Sequence, residues 1–286
     1  MEPNFEVLPP GRAQRPPVPP SRPKPQGIVA WLIAGGVMAA KFGFLLLKTL
    51  KTSLSMVLMI WFYSLAFGWP FAIGFVVLIF VHEMGHVIAA KMLGMPVSAP
   101  IFIPFVGAYI TMKQNPRDAW TEALMAYGGP LAGGTGGWLC WLLAVQMQAP
   151  WLMAVASATF VINLFNLIPV PPLDGGRICA AVSPWFWFIG LLLLGAAVLY
   201  FHAVSSIIII IIVLVVAFPR LKQTLFQPPT EEMRRYYDTS FGKRLAMAAM
   251  YIGLIAFLLL GYWDASSQLG PIGSGDRTPA TAAVNL

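Results

Sequence analysis

The sequence predicts an all-α polytopic membrane protein: about six transmembrane helices, an N-terminal interfacial helix and a re-entrant, β-hairpin-like loop. Three observations carry that reading. Of 286 residues, 58% are hydrophobic and 10% charged, and mean hydropathy is +0.74, a balance foreign to average soluble domains. Apolar residues fall in long runs suited to crossing about 30 Å of hydrocarbon as helix. The basic residues behind the net charge of +7 sit between those runs and not along one face. That placement argues for a bilayer and against a nucleic-acid partner.

Residues 1–27 hold nine prolines together with Arg12, Arg15, Arg22 and Lys24. Such a stretch cannot bury enough apolar surface to fold, and it reads as a disordered cytosolic tail whose Pro-x-x-Pro spacing can also dock in a partner's aromatic groove. It is not a signal peptide, because the apolar run starts late and leads into Lys41, Lys48 and Lys51 without a cleavage site. Residues 28–52 fit either an interfacial helix or an additional membrane helix, and the basic end favours the interface.

The membrane core is expected over residues 53–180. Leu54 to Phe67 forms a first span, turned by Gly68-Trp69-Pro70, and Phe71 to Leu93 forms the second. Val97 to Met112, broken by Pro100, Pro104 and Gly107, is too short to cross as a helix. It reads as the re-entrant hairpin, which membrane depth tolerates only where protein or a water-filled cavity satisfies its backbone. Ala123 to Met147 is a third span, with Gly129, Gly133 and Gly137 at every fourth position. That spacing lets helix backbones approach closely and implies packing without chemistry. Trp151 to Ile168 is the fourth span.

Beyond the core, residues 181–218 are expected to form a membrane helical hairpin. Trp185 to Phe218 runs 34 residues without Lys, Arg, Asp or Glu, about 51 Å as one helix and too long for one crossing. Two short spans meeting near His202 fit better, and His202 then has a structural or interfacial role. Residues 219–244 read as a polar cytosolic connector, 245–263 as the last span and 264–286 as a flexible tail. Cys140 and Cys179 lie within or beside apolar segments and read as reduced packing residues. With the N terminus in the cytosol, every Lys and Arg except Arg277 falls on the cytosolic side. Trp69, Trp151 and Trp263 then lie at the outer boundary, as an aromatic belt does.

Chemistry concentrates at His82-Glu83-Met84-Gly85-His86. A four-residue helical step turns about 400° and rises about 6 Å, so the two imidazoles leave one face and can grip one ion. Glu83 lies about 100° round the helix, placed to hold a water bound to that ion. The five letters occur by chance on solvated helices, but no other ionisable residue lies between Phe71 and Ala90, and a charge at mid-membrane costs about 3 kcal/mol or more. A catalytic zinc site takes three protein ligands and leaves a position open. The topology brings Asp174 to about the depth of the histidines, with prolines before it and Gly175-Gly176 after it breaking the helix and turning the carboxylate inward. The alternative is an Asp that caps the next helix.

The two motifs, His82-Glu83-Met84-Gly85-His86 and the run from Asn166 through Pro169, Pro171, Pro172 and Leu173 to Asp174-Gly175-Gly176-Arg177, resemble the site-2 protease family of intramembrane zinc metalloproteases. The resemblance covers roughly residues 54 to 180, including Gly129-Pro130-Leu131-Ala132-Gly133. It implies one Zn2+ held by His82, His86 and Asp174, with Glu83 as general base and acid and a membrane-spanning helix as substrate. It also implies that Asn166, together with Asn163 one turn earlier, faces the site and stabilises an oxyanion or the unwound substrate strand, the alternative for both being hydrogen bonding between helices. The chain has no stretch long enough for the PDZ or nucleotide-binding modules that the family often carries. Partners are therefore a transmembrane-helix protein and the lipid bilayer, with no nucleic acid. Two rival functions are a metal transporter, which needs ligands along a path where this chain shows one cluster, and an idle scaffold that binds helices, against which an intact Glu83 argues.

Overall fold

The computed structural model describes residues 28–98, 100–103, 107–109, 114–201, 204–228 and 230–269. The proline-rich stretch 1–27, residues 270–286 and His202 lie outside the described residues. The chain divides into two compact units, 1–47 and 48–286. The described part of the first is helical from Ile28 onward; the second contains everything that follows here.

The helices in chain order are α1 (Ile28–Phe67), α2 (Trp69–Met92), α3 (Ala119–Met147), α4 (Pro150–Asn166), α5 (Asp174–Val182), α6 (Trp187–Phe201), α7 (Val204–Leu221), α8 (Glu231–Tyr236) and α9 (Phe241–Leu269). A short strand pair, β1 (Ile101–Ile103) and β2 (Gly107–Tyr109), lies between α2 and α3. Gly68 separates α1 from α2 at φ +80°, a backbone state that favours glycine, and Pro70 then fixes the first turn of α2. Asp118 caps α3 by accepting from the Thr121 N–H at 2.7 Å.

Among the described residues, three helical stretches are long and apolar enough to cross a membrane: Leu50–Phe67 within α1, all of α2, and α9. Six crossings were expected. Of the others, α3 is diluted by Gly128, Gly129, Gly133, Gly134, Gly136 and Gly137, and α4 and α6 measure 17 and 15 residues against the roughly 20 of a typical span. The surface is nonetheless greasy. Val57, Leu192, Val215, Ile252 and Leu260 are between 61% and 74% exposed on α1, α6, α7 and α9, large apolar side chains that suit a hydrocarbon surround.

α3 is the central helix and packs against α2, α4, α5 and α9. Its closest approach is to α2. A Cβ on Gly85 would collide with the Gly128 carbonyl, and a Cβ on Gly128 would lie 2.6 Å from the Gly85 carbonyl oxygen, so the two backbones touch without side chains between them. On the other flank, Phe160, Ile178, Met247, Leu254 and Leu258 fill the core that joins α4, α5 and α9 to α3. A second cluster, built on Trp187, Leu194, Ile210, Val213 and Ala217, joins α6 to α7.

The stretch read as a hairpin contains an antiparallel pair in the register Ile101↔Tyr109, Phe102↔Ala108 and Ile103↔Gly107. Phe102 is buried, its N–H donates to the Ser55 hydroxyl at 3.0 Å, and its ring lies 6.2 Å from that of Phe80. Thr52 donates to the Pro100 carbonyl at 2.7 Å. The strand is thus fastened to α1 and α2.

Two expectations need correcting. The final helix continues past Trp263 to Leu269, and Ser266 and Ser267 sit inside it with their hydroxyls donating to the carbonyls of Trp263 and Asp264, at 3.0 and 2.8 Å. Gly175 and Gly176 do not break a helix. They lie inside the first turn of α5, where a Cβ would strike the Leu167 carbonyl or the Pro171 nitrogen; what they permit is close backbone approach.

Candidate metal centre

α2 carries His82 and His86 four residues apart on one face, and the rings stand nearly perpendicular, with centroids 4.8 Å apart. Their Nε2 atoms are 3.1 Å from each other. Asp174, the first residue of α5, has its Oδ2 at 3.3 Å from the Nε2 of His82 and 3.2 Å from that of His86. It opens the helix without capping it: Leu173 holds the cap position, and the carboxylate is turned to the imidazoles. His82 and Asp174 are buried and His86 is half-buried.

These separations test whether the residues fit a metal. A tetrahedral zinc with Zn–N and Zn–O bonds of about 2.0–2.1 Å sets its ligand atoms about 3.3 Å apart. The three edges of the present triangle are 3.1, 3.2 and 3.3 Å. Two imidazole nitrogens and one carboxylate oxygen are also the donor set of catalytic zinc, and they leave a fourth position open. The residues fit.

The turn between α4 and α5 and the first turn of α5, which together deliver Asp174, are each held by an aromatic side chain. Tyr251 of α9 donates its hydroxyl to the Leu167 carbonyl. Trp187, fully buried, donates its indole N–H to the Gly176 carbonyl at 2.8 Å. The Arg220 guanidinium lies 5.9 Å from the Trp187 ring centre.

Behind the histidines, the Nδ1 of His86 donates to the Met125 carbonyl at 2.9 Å, and the Nδ1 of His82 lies 2.8 Å from the Oδ1 of Asn163. Asn163 is buried and its Nδ2 donates to the Thr159 carbonyl at 2.7 Å, so both ends of its amide are engaged. Asn166 is the last residue of α4 and half-buried. Glu83 follows His82 on α2, half-buried, and is not among the three residues whose ligand atoms converge. The glycine column of α3, read as packing without chemistry, takes part: a Cβ on Gly129 would fall on the His86 ring, and one on Gly133 would lie 2.5 Å from the Oδ1 of Asn163. Only the third, Gly137, faces a packing side chain, Phe160.

A second cluster escapes sequence reasoning. Glu122, just before the apolar run of α3, accepts two hydrogen bonds from Arg220, at 2.9 and 2.6 Å, and a third from Tyr236. Arg177, one turn along α5 from Asp174, approaches the same carboxylate at 3.9 Å. Burial pushes the Glu122 carboxyl up, but the hydrogen bonds and charge of Arg220, aided by Arg177 and Tyr236, outweigh it and hold the group below the usual range. A cavity of about 840 Å³ opens here, walled by Arg117, Glu122, Arg177, Arg220, Glu232 and Arg235 among others. The only sequence signal was a lone Glu at the mouth of an apolar run and a lone Arg after another. Both cysteines are buried and free, as packing residues are.

A helical, apolar-surfaced bundle with a two-histidine, one-carboxylate triangle in its interior offers the ligand set that a membrane-embedded metallohydrolase would use. Comparison narrows the class. Residues 70–150, which contain all of α3 and all of α2 but Trp69, match the sequence model of Peptidase family M50. Over this segment the chain is similar to the family of site-2 proteases. It is also similar to a zinc metalloprotease of Methanocaldococcus jannaschii, 28% identical over 106 residues that cover 35% of this chain and 30% of that protein. The matched part is thus less than a third of the relative's length.

Proposed function

We propose that this protein is an intramembrane zinc metalloprotease that cleaves peptide bonds in or near transmembrane helices of other membrane proteins. The observation that carries the reading is the convergence of His82, His86 and Asp174, from α2 and α5, into one triangle with zinc-like edges. One Zn2+ is the ion of the reading. Bound there, zinc supplies Lewis acidity, which brings water toward ionisation at neutral pH and polarises a carbonyl.

The protein's own groups do the rest. Glu83, one position from a ligand on the same helix, takes the proton from the attacking water and passes it to the leaving amine as the peptide C–N bond breaks. Asn166, at the end of α4, lies on the segment that delivers Asp174 and is the amide placed to steady the substrate carbonyl or strand. A helical substrate hides its carbonyls in its own hydrogen bonds and must unwind; the β1/β2 pair offers an edge for strand addition. Water enters from the polar side, where the Arg- and Glu-walled cavity borders α5 one turn beyond Asp174. In this reading six helices cross, the hairpin is re-entrant, and the basic residues keep the N terminus and the site toward the cytosol. Substrate selection rests on the membrane core.

The test is cleavage of single-span substrates by purified, zinc-loaded protein, compared with Glu83→Gln. Retention of zinc with loss of cleavage supports the reading, and equal cleavage by both proteins ends it.

A further inference from the structure

We propose that Asn163 and Gly133 form a positioning pair for His82: the carboxamide of Asn163 holds the Nδ1 proton and so commits Nε2 to the metal, while Gly133 is the gap in α3 through which that carboxamide reaches the ring. The inference rests on the reading above, since it concerns the metal that the reading requires.

The tautomer follows from a chain of obligatory acceptors. The Thr159 carbonyl can only accept, so the Asn163 atom 2.7 Å from it is the NH2 group. The other end of the amide is therefore the oxygen, which also can only accept. The His82 nitrogen 2.8 Å from it must then carry a proton. In a neutral imidazole this leaves the lone pair on Nε2, the atom that faces His86 and Asp174. Asn163 is 1% exposed, so no bulk water substitutes for it. His86 reaches the same state through a backbone carbonyl, that of Met125, which no side-chain change removes. His82 depends on a side chain.

Gly133 supplies the space. The three nearest atoms to a Cβ there all belong to the Asn163 carboxamide: Oδ1 at 2.5 Å, Nδ2 at 2.8 Å and Cγ at 3.0 Å. No backbone is among them, in contrast to Gly85 and Gly128. An alanine at 133 is thus accommodated by swinging the carboxamide off His82, with the helices left in place. A residue of α3 that touches no ligand then controls the metal through one intermediary. Outer-shell partners of this kind change metal affinity by about 10- to 100-fold.

The experiment uses the full chain in detergent and measures zinc affinity by competition with a chromophoric chelator, with the visible spectrum of the cobalt-substituted protein as a second readout. Asn163→Ala and Gly133→Ala are each expected to weaken zinc binding about 10- to 100-fold and to alter the cobalt spectrum. Asn163→Asp, which keeps an acceptor for Nδ1, is expected to bind within a few-fold of the parent. The double variant Gly133→Ala/Asn163→Ala is expected to bind no more weakly than Asn163→Ala alone, because the two act through the same hydrogen bond. If Asn163→Ala does not fold, Gly133→Ala carries the test. Parental affinity in both single variants, or additive losses in the double, overturns the positioning pair while the metal centre stands. A parent that binds no zinc overturns the metal reading itself.

Discussion

The Glu122 carboxylate and the Arg220 guanidinium, 98 residues apart, meet through two hydrogen bonds of 2.9 and 2.6 Å. The pair ties the start of α3 to the end of α7. Arg220 also lies beside Trp187, whose indole holds the turn that carries Asp174, so the ion pair buttresses the metal triangle from a distance. Removing one partner of a buried pair strands the other charge, a loss of about 3–5 kcal/mol. With the Arg220 side chain 32% exposed, we expect Arg220→Met to cost about 3 kcal/mol, the lower end of that range. Thermal unfolding in detergent checks this, and Glu122→Leu/Arg220→Leu should recover most of the loss.

The same carboxylate gives stability a pH dependence of defined sign. Glu122 is held below its ordinary value in the folded protein, so the unfolded chain binds its proton more readily. Its contribution is fully present above the unfolded value of about 4.5 and fades as pH falls through the lower folded value. Melting temperature should therefore drop on acidification below about pH 4.5, and the drop should be smaller in Glu122→Gln. Equal acid slopes for variant and parent count against this.

Glycines that look alike in the sequence should behave in opposite ways. Gly85→Ala sets a methyl group against the backbone of Gly128, forcing α2 off α3 at a cost of about 3 kcal/mol or more. Gly253→Ala, in α9, meets nothing within 4 Å, and removing a mid-helix glycine should stabilise by about 0.5–1 kcal/mol. Denaturation midpoints of the two variants separate packing from propensity.

Trp187→Phe removes the indole donor and leaves the Gly176 carbonyl buried without it. A buried acceptor left unsatisfied costs about 1–3 kcal/mol. The loss should appear in thermal unfolding with and without zinc alike.

Metal removal should be read as a loss of stability. A ligand at a hundredfold its dissociation constant stabilises the folded state by about 2.7 kcal/mol. Zinc should raise the melting temperature of the parent, chelator should reverse the rise, and His82→Ala, His86→Ala and Asp174→Ala should each lack it. A zinc-dependent rise that survives all three substitutions would place the metal elsewhere.

Much of this was legible in the residue order because it depends on local periodicity. Runs of apolar residues locate α2, α3 and α4 to within a few positions and the middle of α9. The four-residue step from His82 to His86 sets both rings on one face by helix geometry alone. Local order misleads in two places: Ser266 and Ser267 look like tail but continue α9, and Gly175-Gly176 looks like a break but lies within α5. The role of Asn163 was open between substrate and packing, because an amide's partner depends on which helix lies opposite.

The sequence by itself determined an apolar helical protein with paired imidazoles, an adjacent carboxylate and a distant aspartate as candidate chemistry, since hydropathy and helical period act between near neighbours. Only the tertiary structure decided that Asp174 closes the triangle, that Asn163 turns to His82, that Gly129 and Gly133 make room for site side chains, and that Glu122 finds Arg220. Each of those depends on which helix faces which, and that is set by contacts between backbones and side chains far apart in the chain, which no local pattern of residues encodes.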